Sequence, residues 1–200
     1  VYVYFRDAFA GRVEQDMPVY ENDGTGSQNH LVYGYGEGAQ GVWIVGLSET
    51  LSNTQVPATI ETSIETLPVV GIASGAFQDQ TALRGVSFAA NPQFTTIEDS
   101  AFTGCVSLKE FNVPASVKSI GKYAFSDCYE LGSVVFATDG AALESIGALA
   151  FFNCGKVERI EIPATVSDIG SRAFSHDTKF PGVVAVAFPN GSALGEVAQY

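Results

Sequence analysis

Ala-Phe recurs five times along this 200-residue chain, at Ala76-Phe77, Ala101-Phe102, Ala124-Phe125, Ala150-Phe151 and Ala173-Phe174, so successive phenylalanines stand 25, 23, 26 and 23 residues apart. Five copies at one period define an internal repeat, and that repeat restricts the fold more than any other feature of the sequence. The columns around the anchor keep their chemistry. Five residues before each Phe stands Ile72, Ile97, Ile120, Ile146 or Ile169, and six after it Leu83, Leu108, Leu131, Val157 or Phe180. Nine and eleven after it come Val86 and Phe88, Phe111 and Val113, Val134 and Phe136, Ile160 and Ile162, Val183 and Ala185. That period of two predicts a short strand with one buried face in every copy. Pro114 and Pro163 close two of the strands, because a residue without an N–H ends a ladder. Val56-Pro57-Ala58-Thr59-Ile60 repeats the pattern of Val113-Pro114-Ala115-Ser116-Val117, so a degenerate copy precedes Ile72.

About two dozen residues cannot bury their own apolar face, so the copies must stack and share one core, with parallel strands about 4.8 Å apart along the stack. The expected product is a solenoid with the Phe column as its spine. The two long spacings come from segments 89–96 and 137–145, where Pro92 and Asp139-Gly140 mark looser turns.

Ile120-Gly121-Lys122-Tyr123-Ala124-Phe125-Ser126-Asp127-Cys128, followed by Leu131 and Val134-Val135-Phe136, resembles the BspA-type leucine-rich repeat of bacterial surface proteins, as does Ile169-Gly170-Ser171-Arg172-Ala173-Phe174. The resemblance covers about residues 42–200. It implies a leucine-rich-repeat solenoid, mostly short parallel β-strands with turns and short helical segments. It also implies a last strand, a Gly-Ser turn and a short capping helix over Ala193 to Tyr200, with Ser192 as N-cap. Residues 1–41 do not follow the repeat. The alternation of Val1-Tyr2-Val3-Tyr4-Phe5 and the run into Val42-Trp43-Ile44-Val45 predict a β cap on the first coil or the end of a preceding segment.

Lys plus Arg number 10 and Asp plus Glu 22, a formal charge of −12, so a phosphate backbone is repelled and nucleic acid is excluded as a partner class. Between Arg12 and Arg84 there are nine carboxylates and no Lys or Arg. They serve solubility, or else a divalent cation or a basic partner, but they are spread out. Asn22-Asp23-Gly24-Thr25-Gly26 lacks the alternating ligands and distal Glu of an EF-hand. No metal is assigned there. No run of 18 apolar residues is present, which excludes membrane insertion by a helix within these residues. No leader pattern stands at Val1, and a start without Met is expected of a mature chain whose signal peptide has been removed. The expected location is extracellular or at the cell surface.

Cys105, Cys128 and Cys154 each lie three after an anchor Phe, in a column shared with Gln80 and Asp177, so they are expected as free thiols in one buried row. Parallel side chains approach wrongly for a disulfide, and no Cys-x-x-Cys pair suggests zinc. The glycines that follow the Ile column, Gly121, Gly147 and Gly170, read as tight turns, since Ala73 and Glu98 occupy the same place. Gly34-Tyr35-Gly36-Glu37-Gly38 is a poor dinucleotide fingerprint, and His30 and His176 are alone, so no cofactor and no Cys-His nucleophile are expected. Asn190-Gly191-Ser192 matches a glycosylation sequon but is explained by the turn.

What remains for function is surface. Ser87, Asn112, Val135, Glu161 and Val184 are expected to form the outward column of the strands, with Lys109 and Arg159 at its rim. Such a face implies binding without catalysis. The resemblance adds a protein or glycan ligand on another cell or in a matrix as the partner class. The alternative is a structural spacer or stalk in a larger surface protein.

Overall fold

The computed structural model describes residues 31–35, 41–47, 50–61, 66–90, 93–137, 140–179, 182–183 and 185–188. The chain enters through β1 (Leu31–Tyr35) and β2 (Val42–Leu47), an antiparallel pair, then β3 (Asn53–Val56), β4 (Thr59–Glu61) and β5 (Thr66–Ile72). From there every coil contributes two strands. These are β6 (Gly85–Phe88) and β7 (Thr96–Ile97), β8 (Glu110–Val113) and β9 (Ser119–Ile120), β10 (Ser133–Phe136) and β11 (Ser145–Ile146), β12 (Arg159–Glu161) and β13 (Asp168–Ile169). A last strand, β14 (Ala185–Ala187), closes the described chain.

The two strands of each coil join two different sheets. On one side β2, β5, β7, β9, β11 and β13 run in parallel, with β1 antiparallel at the edge and β4 antiparallel against β5. On the other, β3, β6, β8 and β10 form a parallel sheet, and β12 and β14 a separate pair. The second group contains the strands expected from alternation. Valine, phenylalanine and isoleucine at the two inward positions suit a pleated, half-buried surface, and Val86, Phe111, Val113, Val134, Phe136, Ile160 and Ile162 are all buried. The first group holds the Ile column, in which Ile72 ends the seven-residue β5 and the other four end strands only two residues long.

The anchor phenylalanines fill the space between the sheets. Phe77, Phe102, Phe125, Phe151 and Phe174 stack with centroids 4.8, 5.1, 5.2 and 5.6 Å apart and ring planes within 9° of parallel. All five are buried. Phe111 closes on this stack edge-on, 5.1 Å from Phe102 and 4.6 Å from Phe125. Offset or edge-on ring pairs add roughly 0.5–1.5 kcal/mol each to the burial of their area.

Among the described residues there is no helix, so the short helical segments implied by the resemblance are replaced by turns. Two left-handed residues in each of the first four coils, and one in the fifth, give the reason. Two before the anchor, Gly75, Ser100, Tyr123, Leu149 and Arg172 have φ between 55° and 67°. Two after it, Asp79, Gly104, Asp127 and Asn153 have φ between 59° and 74°. Only three residues lie between, enough for one turn bond such as Ser126 N to Tyr123 O at 3.0 Å, and a left-handed residue stops right-handed propagation at each end. The expected capping helix over 193–200, its N-cap Ser192 and the cap segment 1–30 lie outside the described residues.

Two further expectations are corrected. Gly121, Gly147 and Gly170 are required by close approach of neighbouring coils, since their φ is not positive. A Cβ on Gly147 would stand 2.5 Å from the Gly121 carbonyl carbon and the Lys122 nitrogen, and one on Gly170 would collide with Ala148 backbone. The last strand is shifted by three residues. Ile160 pairs with Val186 and Glu161 with Ala187, where the repeat period predicts Val183 and Val184. The final coil takes three extra residues before its strand, in a stretch where Gly182 packs against the His176 ring.

Phe125→Ala is expected to cost about 3–5 kcal/mol in urea unfolding, by loss of burial and a cavity between two stacked rings. Gly147→Ala should cost about 1–3 kcal/mol by overpacking against backbone. Ser87→Ala, on the outer face, should stay within about 0.5 kcal/mol of the parent.

Candidate binding face

The sheet of β3, β6, β8 and β10 turns alternate residues outward, and its register aligns them across coils. Gln55 lies opposite Ser87 and Asn112 opposite Val135, while Asn53 lies opposite Gly85, Gly85 opposite Glu110, and Glu110 opposite Ser133. Glu161 and Arg159 on β12 continue the two columns, since β12 repeats the in-out pattern beside β10. The structure therefore brings Asn112, Val135 and Glu161 to one exposed face, as expected. Val184 is outside the described residues, and Ala187 holds the place opposite Glu161.

Val135 is 51% exposed. Its immediate neighbours are polar, so it is a single apolar contact point set among hydrogen-bonding groups. Arg159 sits on the face itself, not at its rim, because residues two apart on a strand share a side. Its Nε donates to Glu161 Oε1 at 3.1 Å, and both side chains are largely exposed. Lys109 lies just before β8, exposed, with its N–H donating to the Arg84 carbonyl of the coil before, so Lys109 and Arg84 are stacked neighbours at the edge of the face. Gln55 belongs to the same column and was missed as a site residue. The likeness of Val56-Pro57 to Val113-Pro114 was the signal that places Gln55 in line with Asn112.

A second polar feature lies on the anchor turns. Asn153, nearly fully buried, donates from Nδ2 to Asp127 Oδ1 of the preceding coil at 2.6 Å and accepts from the Asp177 N–H of the next at 2.8 Å. Tyr129 and Ser126 also donate to the Asp127 carboxylate, at 3.1 and 2.9 Å. Burial, then the Asp127 charge, raises the Tyr129 phenol above its ordinary 10.0. These bonds join three successive coils through side chains. Among the described residues no group of three His, Cys, Asp or Glu side chains is placed to hold a metal.

The model of the BspA type leucine-rich repeat region matches residues 51–180 in six copies. The chain belongs to the BspA-type leucine-rich repeat family. Among solved structures, the leucine-rich repeat protein TpLRR of T. pallidum is 29% identical, with a TM-score of 0.64, over 72% of this chain and 63% of that one. The pneumococcal vaccine antigen PcpA is 20% identical, with a TM-score of 0.58, over 87% of this chain and 50% of that one. The chain thus spans less than two thirds of the length of either. No curated protein matches this sequence.

In this BspA-type stack the cysteine column has a defined partner. Cys105, Cys128 and Cys154 are free, fully buried thiols, and their Sγ atoms donate to the carbonyls of Phe77, Phe102 and Phe125, at 3.0, 3.2 and 3.2 Å. Each thiol thus ties its coil to the anchor of the preceding one. Burial pushes the Cys105 thiol from its ordinary 9.0 up to about 12, and raises Cys128 and Cys154 as well.

The native protein should therefore resist thiol reagents at pH 8, while unfolding without reductant should release three titratable thiols. Because the thiols ionise more readily in the unfolded chain, their contribution to stability is fully present below about pH 9. It should fall as pH rises from there through about 12, which urea midpoints measured across that window will show.

Proposed function

We propose that this chain is a non-enzymatic binding module of the bacterial cell surface, and that its exposed sheet face engages a protein or glycan ligand on another cell or in a matrix. Asn112, Val135 and Glu161 form the centre of the contact, with Arg159 beside Glu161 and Lys109 at the margin. The observation that carries the reading is the half-exposed Val135 in a register-aligned surface to which β3, β6, β8 and β10 contribute side chains. A solenoid builds such a surface for free once its coils stack, and families of this architecture use it to hold partners. The surface location rests on the family, and on the pneumococcal relative being a vaccine antigen.

Screening the purified chain against immobilised matrix glycoproteins, mucins and glycans, with and without calcium, should yield one ligand class. Val135→Lys should then weaken that binding about fivefold or more, with thermal stability close to that of the parent. Binding as tight as the parent's would move the contact off this face and make the acidic N-terminal third the better candidate. Failure to bind any ligand class would favour the spacer reading.

A further inference from the structure

The strand ladder on the binding side is not uniform. β3 and β6 share four paired positions, β6 and β8 two, β8 and β10 four, and β12 and β14 three. Between β10 and β12, which lie side by side, no position is paired among the described residues.

The rest of the same joint is intact. Ser145 and Ile146 pair with Asp168 and Ile169 in the opposite sheet, Phe125 stacks on Phe151 at 5.2 Å, and Cys154 Sγ reaches the Phe125 carbonyl. On the strand side the joint is spanned by an exposed ion pair, Lys156 Nζ to Glu130 Oε2 at 2.5 Å. Such a pair attracts without fixing register.

We propose that the solenoid carries a one-sided hinge between β10 and β12, at which the binding face opens and closes while the Phe stack and the opposite sheet hold the coils together. Val135 and the Arg159–Glu161 pair stand on its two lips, so the hinge divides the face just described, though the inference does not depend on that face binding anything.

Backbone direction makes the hinge testable residue by residue. Along a strand, alternate N–H groups face alternate neighbours. Ala185 N donates to Glu158 O and Ile162 N to Ala187 O, so residue 160 faces β14, and Arg159 and Glu161 face β10. Ser133 N donates to Lys109 O, so Ser133 and Val135 face β8. In amide hydrogen exchange followed by NMR, Arg159 and Glu161 should exchange at least about tenfold faster than Ser133, Val135 and Ile160. Equal protection of Arg159, Glu161, Ser133 and Val135 would overturn the hinge. So would an Ile160 amide as fast as Arg159, because the whole coil would then be fraying.

Discussion

A coil of this chain has a phenylalanine that it cannot cover. The ring of Phe125 has one face against Phe102 and the other against Phe151, and Phe102 and Phe151 are covered on both faces in the same way. Burial of one coil's apolar surface is therefore an interaction with the next coil, and the stability of the domain is a sum of joints more than a sum of coils. The other inter-coil devices run parallel to this column. The thiol-to-carbonyl bonds and the glycine contacts at 121, 147 and 170 repeat at the stacking interval, and the Asp127–Asn153–Asp177 chain links three coils.

The proposed function follows from the same geometry. A backbone that repeats at strand spacing aligns outward side chains whether or not any is selected for contact, so the face through Asn112 and Val135 is a consequence of stacking. Its specificity then rests on which side chains fill the outward positions. Here they are amides, hydroxyls, the Glu110 carboxylate, Gly85, one exposed valine and a self-paired Arg159–Glu161, on a protein of strongly negative net charge. A mixed face of this kind favours recognition through hydrogen bonds around a small apolar contact.

The spine was legible in the sequence because the Phe, Ile and Leu columns recur at matching offsets, and the longer strands because Val134-Val135-Phe136 and its counterparts alternate. The second sheet was not legible: Ser119–Ile120 and Ser145–Ile146 are too short to show a period. The left-handed residues divide. Asp79, Gly104, Asp127 and Asn153 are types that tolerate positive φ. Tyr123, Leu149 and Arg172 carry no such signal, because neighbouring coils impose a conformation those residues do not prefer. Periodicity placed Asn112, Val135 and Glu161 together, but it did not show the three-residue shift of the last strand that sets Ala187 opposite Glu161, and it put Arg159 at the rim because it ignored that Arg159 and Glu161 share a side.

The central claim is that the phenylalanine column couples one end of the solenoid to the other. Trp43, the single tryptophan, reports on β2, and Cys154, once Cys105 and Cys128 are changed to Ser, reports on a coil four strands further along its sheet. Urea unfolding of that two-Ser chain should give coincident transitions for Trp43 fluorescence and Cys154 exposure. Adding Phe125→Ala should separate them, with Cys154 exposed at lower urea than the Trp43 transition. If the two probes still coincide at the midpoint of the two-Ser chain, the column is not what joins the coils.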